Sequence, residues 1–201
     1  MRRAAAGIGV LAIAMLIAAP ARADDPDDSG EPDGSRRDRD RAANHFNLRI
    51  GGASTDGNGR PVICGEVHAM ARLSFEGCGT GSGFLHHAEG SEMAHFRALW
   101  QLHRWSTGRS TIAARAGAGF AELQLGPDDA GFQFGGPGAA KNAVAGPEGS
   151  ASLQLLVPMG KGIETIASAT AGLAWFDGAD RLVTPRDHLQ PFASVEIGIG
   201  W

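Results

Sequence analysis

The stretch Leu189 to Trp201, LQPFASVEIGIGW, decides the fold. Successive side chains of a strand point to opposite faces. One face of this run therefore carries Leu189, Pro191, Ala193, Val195, Ile197, Ile199 and Trp201. The other face carries Gln190, Phe192, Ser194, Glu196, Gly198 and Gly200. An apolar face opposite a mainly polar or small one is the pattern of a transmembrane β-strand, with the apolar side towards lipid.

This run resembles the closing strand of bacterial outer-membrane barrels, where a terminal Phe or Trp follows apolar residues at alternate positions. The resemblance implies a Gram-negative cell-envelope protein of the eight-stranded OmpA and OmpX type, located in the outer membrane. It also implies outer-membrane lipid as the surroundings and the barrel assembly machinery as a partner during biogenesis. The assembly signal would consist of Val195, Ile197, Ile199 and Trp201.

The start of the chain has the pattern of a secretory signal peptide. Arg2 and Arg3 precede an apolar run, Ala4 to Ala19, and Ala21-Arg22-Ala23 fits a small-x-small cleavage site. We therefore expect a cleavable signal over residues 1–23 and export of the rest. Export would deliver the chain to the compartment in which outer-membrane barrels assemble.

Charge and hydropathy limit the function classes. The chain has 18 basic and 22 acidic residues, a net charge of −4, and the signal holds three of the basic residues and none of the acidic ones. The mature net charge is thus about −7, which argues against nucleic acid as a partner. After Ala19 no run approaches 18 apolar residues, so a membrane-spanning chain would have to be a closed barrel.

Residues 24–44 form a charged segment between the signal and the first strand. It contains eight acidic residues, four arginines, Pro26 and Pro32, with almost no apolar side chains. Such a segment cannot bury enough apolar surface to offset its ordering entropy, so we predict disorder. A calcium-binding or partner-binding arm is the alternative.

Residues 45–201 are predicted to form the barrel domain, because alternating runs are separated by glycine-rich turns. Seven runs are clear, and bacterial single-chain barrels have even strand numbers, so we assign the eighth strand to Thr80–His87. The seven are Phe46–Ser54, Ile63–Phe75, Met93–Arg104, Ser110–Leu125, Ser150–Met159, Ile163–Phe176 and the terminal run.

The connections alternate in length. Short turns are predicted at 76–79, 106–109 and 160–162, and longer loops at 56–61, 126–149 and 177–188. Short periplasmic turns and long outward loops are typical of outer-membrane barrels. In this arrangement Trp175 and Trp201 lie near opposite rims, whereas the parity of Trp105 places it with the inward residues.

The inward positions predict a lumen filled by side chains, since eight strands leave little free space. Arg72, Arg97 and Arg115 would need Glu66, Glu164 or Glu196 as partners, because an unpaired buried charge is costly. We expect a plug of salt bridges and hydrogen bonds, with a proton or ion path as the alternative. The predicted lumen residues are Glu66, His68, Arg72, His95, Arg97, Gln101, His103, Arg115, Glu164 and Glu196.

Histidine and carboxylate residues are densest between residues 86 and 95. The weak catalytic candidates are His86, His87, Ser91, Glu92 and His95. Imidazole and carboxylate groups can bind zinc or perform acid–base chemistry, but the spacing matches no zinc signature. A solvated outward turn is the simpler interpretation, and we expect neither a metal nor a cofactor.

Two further features leave alternatives open. Cys64 and Cys78 would be oxidised in the periplasm if they met, yet 14 residues of one extended strand would separate them by roughly 45 Å. A disulfide would therefore contradict the continuous strand Ile63–Phe75. Phe132 and Phe134, in the loop 126–149, could contact a ligand, another protein or the bilayer surface, or fold over the barrel mouth.

The sequence thus predicts an all-β fold, an eight-stranded antiparallel up-and-down transmembrane barrel with a structural or interaction role and no identified extracellular ligand. A lipid A-modifying barrel enzyme, a deacylase or acyltransferase, is the first alternative. The second is a soluble exported periplasmic β-domain.

Overall fold

The computed structural model describes residues 45–57, 59–81, 85, 90–126, 132–138 and 141–201. Within these ranges the fold is all-β, and a short 3₁₀ helix lies at Ala179–Arg181. No helix in this part of the chain is both long and apolar enough to cross a membrane. The strands are β1 (Phe46–Ala53), β2 (Val62–Met70), β3 (Leu73–Gly79), β4 (Glu92–Thr107), β5 (Ser110–Gln124), β6 (Ala143–Gly160), β7 (Ile163–Trp175) and β8 (Leu189–Gly200).

The eight strands form one closed, antiparallel ring in chain order, because β8 pairs with β1. Asn47 of β1 lies opposite Gly200 of β8. Asn47 also begins a row of directly paired residues that runs from β1 through β2 to β7. This row reaches β8 at Gln190, ten residues before Gly200. Such a stagger requires strands tilted by about 35–45° to the ring axis. The row passes through Glu66, Glu76, Arg97, Gly119, Glu148 and Ala174.

The two ends of the ring differ in their connections. Two-residue turns at 71–72, 108–109 and 161–162 define what we call the short-turn end. Connections of 54–61, 80–91, 125–142 and 176–188 define the long-loop end. Lys161 and Gly162 both have positive φ, 56° and 79°, as a type I′ hairpin requires. His45 and Trp201 meet at the short-turn end, where the His45 N–H donates to the Trp201 carbonyl at 2.9 Å.

The predicted continuous strand Ile63–Phe75 is wrong. β2 ends at Met70, Ala71 and Arg72 form a turn, and β3 begins at Leu73. The polar–apolar alternation continues through this turn, and Ala-Arg is not a typical turn sequence, so the pattern gave no signal of the break. The predicted turn at 76–79 lies inside β3.

The eighth strand therefore comes from this division and not from Thr80–His87. The described residues of that stretch, Thr80, Gly81 and Leu85, lie outside strands, and its other positions lie outside the described residues. The predicted signal peptide, residues 1–23, and the predicted disordered segment, residues 24–44, also lie outside them.

A disulfide joins Cys64 and Cys78, which face each other directly across β2 and β3. Their Cα atoms lie 4.1 Å apart, whereas a continuous strand would have kept them far apart. The disulfide therefore requires that β2 and β3 form a hairpin. Both sulfur-bearing side chains are buried and point to the inside of the ring.

A β-bulge in β4, between Gln101 and His103, reverses the side-chain parity of the residues that follow. His103 then pairs with Ala114 and Trp105 pairs with Ile112, both on the outward row of β5. The predicted inward positions of His103 and Trp105 are therefore wrong, and both side chains are exposed on the outside. A prediction that assigns alternate residues to opposite faces of a strand cannot detect one inserted residue.

Removing the disulfide tests the β2–β3 hairpin. A crosslink that closes a loop of about 15 residues stabilises a folded chain by about 3 kcal/mol, mainly by restricting the unfolded state. We expect the double variant Cys64→Ala/Cys78→Ala to lower the free energy of unfolding by about this amount, measured by urea titration. Reduced wild-type protein should behave like the variant. Identical urea midpoints for oxidised, reduced and variant protein would contradict the pairing.

Candidate functional site

The centre of the ring interior is a network of buried charges built around Glu66 of β2. One carboxylate oxygen of Glu66 accepts hydrogen bonds from Arg115 Nη1 at 2.7 Å and from Ser74 Oγ at 2.6 Å. The other oxygen accepts from Asn47 Nδ2 at 3.1 Å and lies 3.2 Å from Arg49 Nη2. Charge-assisted bonds of this kind are about twice as strong as neutral ones.

Glu76 of β3 is the second anion of the network. Its carboxylate accepts from Arg97 Nε at 2.5 Å and also from Arg49 Nη2. The sheet register places Glu66 directly opposite Glu76 and Glu76 directly opposite Arg97. Two carboxylates that face each other across strands repel, so the guanidinium groups of Arg49, Arg97 and Arg115 make this arrangement stable.

The structure places the predicted lumen residues in different environments. Glu66, His95, Arg97, Arg115, Glu164 and Glu196 are buried inside the ring, and His68 and Gln101 are partly buried. Arg72 is exposed in the β2–β3 turn, so its predicted lumen position is wrong, and His103 lies on the outside. The predicted pairing of Arg115 with Glu66 is present, whereas Arg97 pairs with Glu76.

Sequence reasoning missed several members of the interior, namely Asn47, Arg49, Glu76 and Glu148. Asn47 and Arg49 alternate with Leu48 and Ile50 along β1, and that alternation was a usable signal. Glu76 was missed because residues 76–79 were assigned to a turn. Glu148 was missed because it was assigned to a loop, whereas β6 begins at Ala143.

A second, separate polar contact, between a histidine and a carboxylate, lies nearer the long-loop end. His95 Nδ1 is 2.6 Å from Glu148 Oε2, and both side chains are buried. The Phe192 ring packs against the His95 ring at 4.4 Å between centroids and lies 5.8 Å from the Arg97 guanidinium carbon. Phe192 therefore contacts both this pair and the charged network.

The catalytic candidates do not form a triad in the described structure. The partner of His95 is Glu148, whereas Glu92 accepts a hydrogen bond from Thr80. The Ser91 carbonyl accepts from the Gly57 N–H at 2.8 Å, which anchors Ser91 through its backbone. His86 and His87 lie outside the described residues. In the described ranges no three His, Cys, Asp or Glu side chains are grouped to hold a metal ion.

An apolar cluster fills the ring at the long-loop end. Phe176, Ala179 and Leu182 of the connection 176–188 are buried among inward side chains of the strands. We call this cluster the apolar plug, and its strand members are Met93, Ala121, Leu123, Val144, Ala174 and Phe192. Charged network and apolar plug together occupy the interior from one end towards the other.

The loop phenylalanines lie on the outside of the ring. The Phe132 ring contacts Phe120 at 4.8 Å and Phe96 at 6.1 Å between centroids, and Phe134 contacts Phe120 at 5.4 Å. Phe96 and Phe120 are outward residues of β4 and β5 that stack on each other. The segment therefore packs on the outer wall near the long-loop end and not over the mouth.

The four residues of the predicted assembly signal share the outward face of β8. Val195, Ile197, Ile199 and Trp201 are all exposed. The Trp201 ring also makes an edge-on contact with Phe46, 5.0 Å between centroids, where the last strand meets the first.

Substituting Glu66 tests the charged network. Glu66→Gln would leave the buried Arg115 guanidinium without its carboxylate partner and Arg49 with Glu76 alone, and breaking a buried pair costs about 3–5 kcal/mol. We expect a loss of unfolding free energy of that order, measured by urea titration. The matched control is Glu196→Gln, because Glu196 is also buried but its Oε1 has no hydrogen-bond partner. The control should be neutral or stabilising, and equal losses in the two variants would refute the network.

Asp56, in the connection 54–61, provides a pH-dependent test. Partial burial and the nearby Glu92 raise the pKa of Asp56 from 3.8 to about 6. The folded chain then binds this proton more tightly than the unfolded chain, so stability falls as the pH rises from about 4 to 6 and stays low above that.

Asp56→Asn should therefore raise the urea midpoint above pH 6 and leave it unchanged near pH 4. Asp177→Asn, which removes an exposed carboxylate from another long connection, is the control and should change little at either pH. A constant effect of Asp56→Asn from pH 4 to 7.5 would argue against the raised pKa.

Comparison of the chain with protein-family models, with curated proteins and with solved structures gives no match. Information on function therefore comes from the distribution of charge and apolar surface in this structure.

Proposed function

We propose that this protein is an outer-membrane β-barrel with a sealed interior and a structural or interaction role, which displays its long loops outward. The observation that carries the proposal is a reversed polarity. Charged side chains are buried inside the ring, and large apolar side chains are exposed on its outer wall. A water-soluble β-domain has the opposite arrangement, because burial of apolar surface is what stabilises it.

The outer wall supports this proposal in detail. Of the charged residues in the eight strands, only Glu92 and Glu122 stand at outward positions, and both are buried at the long-loop end. All the others occupy inward positions. A basic residue at the bilayer midplane costs about 2–4 kcal/mol, so a wall free of charge is what hydrocarbon requires. Large exposed apolar residues occur on every strand except β5, including Ile50, Val67, Phe75, Trp100, Leu155, Leu173 and Val195.

Aromatic residues lie near both rims, where barrels carry their girdles. Trp105 and Trp201 are near the short-turn end, and the bulge in β4 is what turns Trp105 outward. Trp175 is near the long-loop end, stacked on His188 at 5.4 Å between ring centroids. An apolar band on the outer wall would therefore extend from the level of Trp105 and Trp201 to the level of Trp175.

The filled interior argues for a role other than conduction. Arg49, Arg97 and Arg115 bind Glu66 and Glu76 inside the lumen, Arg115 from across the ring, and the apolar plug lies at the long-loop end. A porin needs a water-filled channel, which this arrangement does not supply. The interior position of His95, away from lipid, does not favour lipid A chemistry either.

The test is fractionation combined with migration on a denaturing gel before and after heating. We expect the chain in the outer-membrane fraction, soluble only with detergent, with a shift in migration on heating. Ala116→Arg, near the middle of the outer wall of β5, should destabilise the folded form by about 2–4 kcal/mol. Ser110→Arg, beside the turn of the same strand, should cost only about 0–1 kcal/mol.

A chain that stays dissolved and monomeric in plain buffer would contradict the proposal. Equal effects of the two arginine substitutions would contradict the presence of hydrocarbon around β5.

A further inference from the structure

A groove opens at the short-turn end beside the turn that joins β2 to β3. Its volume is about 510 Å³, within the range of about 300–1,000 Å³ that small-molecule sites occupy. The groove is lined by Ala71, Arg72, Gln101, Leu102, His103 and Arg104. Neither the charged network nor the apolar plug includes any of these residues.

The groove exists because β4 extends past the end of β3. The last β3–β4 pair is Leu73 with Trp100, and the Gln101 N–H donates to the Arg72 carbonyl at 2.8 Å. Beyond this point β4 continues to Thr107 and pairs only with β5. The bulge occurs at this step, and bulges commonly redirect side chains next to functional sites. An open strand edge cannot be satisfied in hydrocarbon, so the groove belongs at the level of polar headgroups.

The chemistry of the groove favours an anion. Two guanidinium groups, an imidazole and a side-chain amide line it, and no carboxylate does. Arg72 is exposed and Arg104 is half-buried, and neither forms an ion pair with a described residue. The planar fork of guanidinium N–H donors matches the oxygens of a phosphate group. The donors for such a group are therefore in place and unused.

The surroundings of the groove favour a phosphate that carries acyl chains. Met70 and Leu102 beside it are 68% and 61% exposed, and Trp105 is exposed on the same outer wall. A charged head in the groove would thus have an apolar surface next to it for its tail.

We propose that this groove binds the phosphate group of a membrane phospholipid, with Arg72 and Arg104 as the anion-binding pair. This inference rests on the proposed function, since it assumes that lipid surrounds the ring. It adds a defined lipid site at the short-turn rim, shaped by the bulge and by the early end of the β2–β3 hairpin.

The test is native mass spectrometry of the full chain refolded in detergent micelles and mixed with one lipid at a time. The lipids are phosphatidylglycerol and a diacylglycerol with the same acyl chains but no phosphate. We expect wild-type protein to retain one phosphatidylglycerol and no diacylglycerol. Arg72→Gln/Arg104→Gln should weaken retention by about tenfold or more, because both charge-assisted contacts with the phosphate group are lost.

The matched control is Arg109→Gln/Lys161→Gln, which removes the same charge from the same end of the ring but outside the groove. It should retain the lipid like wild type. Equal retention by the groove variant, or equal loss in the control, would overturn the site. Inorganic phosphate serves as a competitor, and displacement of the lipid at equimolar phosphate would overturn the lipid as its source.

The gel-shift assay on the same preparations separates this inference from the proposed function. A chain that shows the heat shift and needs detergent, yet retains no phosphatidylglycerol, contradicts only the lipid site. A chain that is soluble without detergent contradicts both.

Discussion

Pairing of β8 with β1 is the constraint on which the rest of the structure depends. A closed ring has no free lateral edge, so every strand has one face inside and one face outside. Once the ring is closed with a ten-residue stagger, alternation along each strand decides which side chains meet. Glu66, Glu76 and three arginines then have no access to water and must satisfy one another. The same alternation leaves the apolar residues on the outside.

The strand register therefore decides both which side chains lie inside the ring and which lie on its outer wall. Arg49 reaches two carboxylates on neighbouring strands, and Arg115 reaches Glu66 from across the ring. Glycines at inward positions of β7 and β8 leave room for neighbouring side chains, since a Cβ at Gly198 would clash with Arg49 and one at Gly172 with Phe192. Long and small inward side chains thus fit together in the part of the lumen that the structure describes.

Much of this arrangement could be predicted from the sequence, but not all of it. The outward rows of β5, β7 and β8 follow simple period-two alternation, and the short turns at 108–109 and 161–162 contain glycine. The β2–β3 turn contains none, and its even length keeps the alternation in phase, so the pattern could not reveal it. The one-residue bulge in β4 likewise leaves no local signature, yet it changes the direction of His103 and Trp105.

The candidate site was harder to predict than the fold, because its partners come from distant strands. Nothing in the local sequence couples Arg97 to Glu76 or His95 to Glu148, which are 21 and 53 residues apart. The cysteine pair could have corrected the error in β2, since a disulfide and a continuous strand over these residues are incompatible. The groove at the short-turn end depends on the two features that sequence periodicity missed, the β2–β3 turn and the bulge in β4.

The central claim is that hydrocarbon surrounds the ring, and the four tryptophans of the chain report on it directly. Trp100, Trp105, Trp175 and Trp201 are all exposed. The measurement is tryptophan fluorescence of the refolded chain in bilayers of phospholipid brominated along its acyl chains. Contact with bromine-bearing chains should strongly quench the emission relative to bilayers of unbrominated lipid. Unchanged emission in the two lipids would show that the exposed tryptophans face water, and would contradict the claim.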